Sequence, residues 1–103
     1  MSNGRTIAID FDGTIHAYSK GWNGGEIYDL PIPGTQTAIQ KFRNQGYRIV
    51  IFTARTNTPA IKDWLNFHNI IVDHITNIKP RAFVYIDDRA IRFTNWKDIS
   101  NYF

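Results

Sequence analysis

Two aspartates, a glycine and a threonine follow directly on the first apolar segment of the chain, where residues 6–14 read Thr-Ile-Ala-Ile-Asp-Phe-Asp-Gly-Thr. Residues i and i+2 of an extended chain point to the same side, so Asp10 and Asp12 can face one pocket. Gly13 lets the chain turn sharply after them. Carboxylates grouped in this way suit phosphoryl transfer, and we expect Gly13 and Thr14 to lie beside the substrate.

Three further polar positions follow predicted elements later in the chain. An apolar strand at 47–52 ends in Thr53, Lys79 lies in a loop, and an apolar strand at 83–86 ends in Asp87 and Asp88. Each feature alone is unremarkable, and an isolated Asp-x-Asp-Gly-Thr is more often a strand entering an acidic turn. The occurrence of all four in this order favours a catalytic site.

The four elements together resemble the motifs of the haloacid dehalogenase (HAD) superfamily of phosphohydrolases. That family has Asp-x-Asp-x-Thr, then a strand ending in Thr or Ser, then Lys, then a strand ending in acidic residues, and residues 6–88 contain all of them in order. The resemblance implies a Rossmann-like parallel sheet and a phosphatase that works through an aspartyl-phosphate. It also implies the role of each matching residue.

These roles divide the reaction between four side chains. Asp10 matches the nucleophile, and Asp12 matches the general acid that later serves as general base. Thr53 is expected to hydrogen-bond a phosphoryl oxygen. Lys79 is expected to neutralise charge on the phosphate and on Asp10. The alternatives for the last two residues are a strand-end hydroxyl and a solvated lysine.

A divalent cation is expected among the acidic residues. Asp10, Asp12, Asp87 and Asp88 carry up to four negative charges, which repel one another and a dianionic phosphate unless a cation intervenes. Hard oxygen ligands that leave room for water suit Mg²⁺. The expected ligands are the Asp10 carboxylate, the Asp12 backbone carbonyl and the Asp87 carboxylate, with Asp88 in the metal site or directly behind it.

Strands and helices alternate along the chain, which predicts a single α/β domain over 1–103 with a parallel sheet and helices on both faces. The expected elements are strands at 5–10, 47–52, about 70–72, 83–86 and 90–93, helices at 35–45 and from 58 onward, and a terminal helix or turn at 96–103. In the first helix Ala38, Ile39 and Phe42 should point inward. In the second, Thr58 is the expected N-cap, Pro59 the first helical residue, and Ile61, Trp64, Leu65 and His68 share one face.

Residues 14–30 alternate loosely around a glycine-rich turn, which predicts a β-hairpin flap above the site. Trp22 stands between glycines in this flap, where it can stack on a base or sugar, pack against the base of the flap itself, or pack at a subunit interface. The spacings leave no room for a cap domain. The chain therefore resembles capless HAD proteins, which often act on large substrates or close the site with another subunit, here a homo-oligomer.

The composition excludes several classes of protein. The 103 residues include no cysteine, no run of membrane-spanning length and no signal-peptide pattern, so a cytoplasmic protein without a membrane partner is expected. The net charge of +3 favours anionic substrates weakly. Arg55 and Arg89 fall near the predicted site, and Arg55 is expected to bind substrate. Arg81 and Arg92 are expected to be solvated.

The segment Tyr-Ile-Asp-Asp-Arg at 85–89 resembles the corresponding segment in the phosphatase domain of phage polynucleotide kinases. A nucleotide or nucleic-acid end is therefore one expected substrate, and a sugar phosphate is the alternative. Two other functions stay open. A receiver-type phosphorylatable switch uses similar residues in a different order along the chain, and a binding module could keep the scaffold without turnover.

Overall fold

The computed structural model describes residues 4–88 and 95–101. In chain order, the elements are β1 (Thr6–Asp10), α1 (Thr35–Asn44), β2 (Arg48–Phe52), α2 (Thr58–Phe67), β3 (His74–Thr76), β4 (Val84–Ile86) and α3 (Trp96–Ser100). The four strands form one sheet in the order β3-β2-β1-β4, and all three pairings are parallel. The predicted α/β fold is confirmed, and no cap is inserted among the described residues.

The register brings the carboxyl ends of the strands to one edge of the sheet. Asp10, the last residue of β1, pairs with Phe52, the last residue of β2, and Phe52 also pairs with Thr76. Ile9 pairs with Ile86 at the end of β4. Parallel strands all end at the same edge, so the residues that follow β1, β2 and β4 meet there. This is why distant chain segments can form one site.

The hydrophobic core joins one face of the sheet to both long helices. Its buried cluster includes side chains of β1 and β2 at alternate positions and side chains of α1 and α2: Ile7, Ile9, Ile49, Ile51, Ile39, Ile61, Trp64 and Leu65. Alternate residues of a strand point to the same face, so α1 and α2 pack on that face together. Helices were predicted on both faces of the sheet. Among the described residues, the two long helices, α1 and α2, pack on the same face of the sheet.

The helices begin and end close to the predicted positions. α1 ends at Asn44, one residue before the prediction, and Gly46 follows at φ 87°. Ala38 is exposed, whereas Ile39 is buried and Phe42 is half-buried. In α2 the predicted N-cap is wrong by one residue: the Asn57 side chain accepts a hydrogen bond from the Ala60 N–H at 3.3 Å. Asparagine is one of the strongest capping residues, which explains the shift.

The third strand lies about four residues after the predicted position. Residues 70–72 belong to no strand; they follow the turn at 68–69 that leaves α2, and the Ile70 N–H donates to the Leu65 carbonyl at 2.9 Å. Ile70 is buried in the core, but its backbone closes the helix rather than joining the sheet. The strand forms only at His74–Thr76, after Asp73 has accepted a hydrogen bond from the Ile49 N–H at 2.7 Å.

The predicted β-hairpin is a loop. Between β1 and α1 the described chain has no strand; it has a single 3₁₀ turn at Asn23–Gly25 and two isolated bridges, one pairing His16 with Pro31. Side chains hold this loop together. The Tyr28 hydroxyl accepts from the Lys20 N–H at 2.6 Å and donates to the Gly21 carbonyl at 2.9 Å.

The C-terminal part of the chain is described only in part. The predicted terminal helix is confirmed as α3, a short helix of five residues. The predicted edge strand at 90–93 lies outside the described residues, as do Arg89 and Arg92. Within 4–88 and 95–101, none of the helices has the length and apolar character needed to cross a membrane.

Candidate active site

An open cleft of about 550 Å³ lies at the carboxyl edge of the sheet. Seven of the ten predicted site residues line it: Asp10, Asp12, Trp22, Thr53, Arg55, Asp87 and Asp88. They come from the ends of β1, β2 and β4 and from the loop after β1. The sheet therefore brings together side chains that are up to 78 positions apart in the sequence.

Three carboxylates form an acidic cluster in the cleft. One oxygen from each of Asp10, Asp87 and Asp88 lies within 4.8 Å of the others. Burial, followed by the negative charge of Asp87, raises the pKa of Asp10 from 3.8 to about 6; the charges of Asp88 and Asp12 act in the same direction. The ionised form of Asp10 is therefore costly unless a positive charge lies nearby. Carboxylate oxygens at this spacing are hard donors that fit a Mg²⁺ ion.

Gly13 allows this cluster to form. Its φ is +83°, in the left-handed region that favours glycine, and a Cβ atom at this position would overlap the Asp88 carboxylate. The turn is closed by a hydrogen bond of 2.8 Å from the Gly13 N–H to the His16 carbonyl. The Thr14 hydroxyl lies 3.5 Å from Asp10 Oδ2. Neither Gly13 nor Thr14 lines the cleft, so their predicted substrate contacts stay predictions.

Asp12 has different neighbours from Asp10, although only one residue separates them. Arg55 donates to both oxygens of its carboxylate, from Nε to Oδ2 at 2.7 Å and from Nη2 to Oδ1 at 3.1 Å. His16 adds a contact of 2.8 Å between Nδ1 and Asp12 Oδ1. The crowding of like charges that the sequence suggested therefore falls mainly on Asp10, whereas Asp12 is held by hydrogen-bond donors.

Arg55 connects Asp12 to the loop above the cleft. Its Nη1 donates to the Gly25 carbonyl at 2.6 Å, and its guanidinium carbon lies 4.8 Å from the ring centroid of Trp22. The residue is 7% exposed, unlike most surface arginines. We predicted that Arg55 binds substrate; in the structure its donors face Asp12 and the loop. The sequence could not reveal this, because its partners lie about 30 and 43 positions away.

Thr53 and Lys79 differ in position. Thr53 is buried at the end of β2, lines the cleft, and accepts a hydrogen bond at its hydroxyl from the Arg55 N–H at 3.1 Å. Lys79 is exposed and does not line the cleft; its Nζ lies 4.9 Å from the ring centroid of Tyr85. The structure thus brings Thr53, but not Lys79, to the acidic residues. Arg81 is exposed, as expected.

Aromatic and amide side chains complete the rim of the cleft. Trp22 is 58% exposed and lines the cleft beside Tyr18. Asn77 also lines it and was not predicted. It directly follows β3, so the rule that sites form at carboxyl ends of strands would have identified it had the strand been placed correctly. His16 was not predicted to contact Asp12, although the two residues are only four positions apart in the sequence.

Comparisons with known proteins agree with the fold and with the motifs. No protein-family model matches the chain. Over 69 residues, 67% of the chain, it is 35% identical to the polynucleotide 3′-phosphatase ZDP of Arabidopsis thaliana. That match spans about 10% of the relative's own length. The crystal structure of a structural-genomics target from Vibrio cholerae matches with a TM-score of 0.62 and 27% identity, covering 94% of both chains.

Proposed function

Because the chain belongs to the HAD superfamily of phosphohydrolases, we propose that it is a Mg²⁺-dependent phosphatase that acts through an aspartyl-phosphate on Asp10. The observation that carries the proposal is convergence. Three distant segments of the sequence supply residues that line one cleft: Asp10 with Asp12, Thr53, and Asp87. A structural role alone would not require an acidic cluster that raises the pKa of its own member to about 6.

The first half of the reaction transfers the phosphoryl group to the protein. An Asp10 oxygen attacks phosphorus in line with the ester oxygen, so a carboxylate–phosphorus bond forms as the ester bond breaks. The leaving oxygen takes a proton from Asp12. Thr53 hydrogen-bonds a phosphoryl oxygen, and the exposed Lys79 side chain reaches the phosphate when substrate is bound.

The second half releases phosphate. Water attacks the aspartyl-phosphate, and Asp12 accepts its proton, which restores the protonated acid for the next cycle. Arg55 holds the Asp12 carboxylate at both oxygens throughout, and this contact limits its rotation. Asp12 can therefore act in both halves of the reaction from one position.

The acidic cluster would hold the Mg²⁺ ion. Asp10, Asp87 and Asp88 offer carboxylate oxygens, and the Asp12 carbonyl is a further ligand in this proposal. When bound, the ion supplies positive charge that offsets the carboxylates and the phosphate oxygens. Without such charge, the ionised Asp10 faces three acidic neighbours, and a dianionic substrate would be repelled.

A nucleic-acid end is the substrate that the surroundings of the cleft favour. The cleft is open, its rim carries the exposed Trp22 ring, and the Arabidopsis relative is named a polynucleotide 3′-phosphatase. An exposed aromatic ring next to a phosphate site can stack on the terminal base. A second copy of the chain covering the cleft is a further proposal, which light scattering across a concentration series would test.

The decisive experiment is a phosphate-release screen with Mg²⁺. Substrates are oligonucleotides with 3′- or 5′-phosphates, free nucleotides and sugar phosphates. Asp10→Asn should abolish release, whereas Asp63→Asn, an exposed aspartate on α2 that does not line the cleft, should leave it unchanged. Unaltered turnover in Asp10→Asn would reject the nucleophile. A phospho-aspartate stable for hours would favour a receiver, and tight binding without release would favour a binding module.

The contribution of Trp22 separates the substrate classes. Stacking on one base is worth roughly 1–3 kcal/mol, so Trp22→Ala should raise KM for an oligonucleotide 3′-phosphate by roughly 5- to 150-fold. KM for a sugar phosphate should hardly change. Trp96→Ala is the matched control, because Trp96 is also exposed and does not line the cleft. Equal losses on both substrates would argue against a base-stacking role.

A further inference from the structure

His16 is a fully buried imidazole whose two nitrogens both have partners. Nδ1 lies 2.8 Å from Asp12 Oδ1, and Nε2 lies 3.0 Å from the backbone nitrogen of Asp29. A backbone N–H can only donate, so Nε2 must accept. The ring is therefore neutral with its proton on Nδ1, and it donates to the Asp12 carboxylate. The contacts of the two nitrogens fix a single tautomer.

The hydrogen bonds continue from His16 into the hydrophobic core. The Trp64 indole N–H donates to the Asp29 carbonyl at 3.1 Å, and the backbone N–H of Asp29 donates to His16 Nε2. Rings surround the imidazole: Phe11 stacks at 5.4 Å, and Trp64 and Tyr28 pack edge-on at 5.6 and 5.2 Å. Trp64 on α2 therefore holds Asp29, Asp29 donates to the imidazole, and the imidazole contacts Asp12.

The contacts on Asp12 distinguish its two oxygens. Among the described residues, Oδ1 accepts from His16 and from Arg55 Nη2, whereas Oδ2 accepts from Arg55 Nε alone. A carboxylate oxygen has two acceptor positions, so Oδ1 is saturated and Oδ2 keeps one open. Oδ2 is therefore the oxygen that can carry the exchanged proton.

We propose that His16 is a positioning residue for Asp12, and that its Nδ1–H donor, fixed by Asp29 and Trp64, orients Oδ2 towards the leaving oxygen and the attacking water. This proposal rests on the proposed phosphatase function and adds a residue to it. Both Arg55 donors come from one side chain, so a shift of the guanidinium would move the carboxylate with it. His16 supplies a second, independently anchored donor.

Two substitutions test the role. His16→Phe keeps a ring in the aromatic surroundings but removes the donor, and His16→Asn places an amide N–H near the position of Nδ1. The readout is kcat/KM on two substrates: an aryl phosphate, whose phenolate leaves without being protonated, and an oligonucleotide 3′-phosphate, whose alkoxide needs the proton. Displacing a proton-transfer group costs roughly tenfold to hundredfold.

The expected pattern is selective. His16→Phe should lower kcat/KM on the alkyl ester by roughly tenfold to hundredfold and on the aryl ester by less than about threefold, and His16→Asn should recover part of the loss. Equal losses on both esters would show that His16 only maintains the fold, and would overturn the proposal. Failure of His16→Asn to restore any activity, while it folds normally, would also overturn it.

Nitrogen NMR of the intact protein tests the geometry without any turnover. The chain has three histidines, and the signals lost in His16→Asn identify those of His16. A protonated Nδ1 and an unprotonated Nε2 support the proposal, whereas a proton on Nε2, or on both nitrogens, near neutral pH overturns it. If no phosphomonoester is hydrolysed, the proposed function fails, and the NMR result still decides whether His16 holds Asp12 as a donor.

Discussion

Replacing Asp10, the proposed nucleophile, should stabilise the metal-free protein, and the effect should depend on pH. Burial and neighbouring carboxylates raise the pKa of Asp10 from 3.8 to about 6, so the folded state binds this proton more tightly than the unfolded state does. Below pH 3.8 both states hold the proton, and the shift has no effect. Between pH 3.8 and 6 the unfolded state ionises first, so the free energy of unfolding falls as pH rises.

The size of the effect follows from this shift. A difference between 3.8 and about 6 corresponds to about 3 kcal/mol for a fully buried group. Asp10 is half-buried, so solvent screening reduces the expected penalty to about 1–2 kcal/mol above pH 6. Asp10→Asn has a similar shape but no charge, and it should recover that amount. For a domain of this size, each kcal/mol shifts Tm by about 4–8 °C.

Urea unfolding with a chelator, at pH 4 and pH 7.5, measures the prediction. The difference between Asp10→Asn and the unaltered protein should be about 1–2 kcal/mol larger at pH 7.5. Hydrogen bonds from Ser19 lower the pKa of Asp29 to about 2, so Asp29 makes the free energy of unfolding rise with pH rather than fall. This contribution is the same in both proteins and cancels in the difference. Mg²⁺ at pH 7.5 should stabilise the unaltered protein more than the variant. A difference that is the same at both pH values would refute the electrostatic origin.

Three further substitutions test other parts of the site. Gly13→Ala should weaken the stabilisation by Mg²⁺ in urea unfolding more than Gly21→Ala does, because both positions have φ above +60° but only at Gly13 would a Cβ displace the Asp88 carboxylate; equal stabilisation by Mg²⁺ would contradict the contact. Arg55→Lys should lower kcat by about tenfold or more, because one ammonium cannot replace a bidentate contact on Asp12; unchanged kcat would exclude this contact from the mechanism. Lys79→Met should lower kcat by about tenfold or more if its exposed side chain reaches bound phosphate; unchanged kcat would remove Lys79 from the site.

The sequence predicted the positions that depend on strand ends. Asp10, Thr53 and Asp87 each follow an apolar segment, and once the segments form a parallel sheet their ends must meet at one edge. Periodicity and composition identify such segments reliably when they are long and buried, as β1 and β2 are. The acidic cluster was therefore predictable without knowledge of any individual side-chain contact.

The loop between β1 and α1 was not predictable in the same way. Its backbone has two non-glycine residues at positive φ, Tyr18 and Asn23, and is held by side-chain contacts such as that of Tyr28 with Gly21. The alternating apolar residues predicted a hairpin there. The prediction was wrong because the alternation pattern carries no information about such side-chain contacts. The third strand was misplaced because an apolar run, 70–72, can end a helix as well as begin a strand.

The long-range partners of Asp12 explain how an open site can still be ordered. The loop has few core residues of its own, but Arg55 joins its Gly25 carbonyl and Trp22 ring to the Asp12 carboxylate. Bidentate contacts to a carboxylate are strong and directional, and this one lies in a buried setting. The surface that would meet substrate and the group that would exchange protons are therefore held by one guanidinium. In the proposed phosphatase, a substrate that moved Trp22 would act on Asp12 through the same Arg55 side chain, which would link substrate binding to proton transfer in a chain whose described residues include no cap.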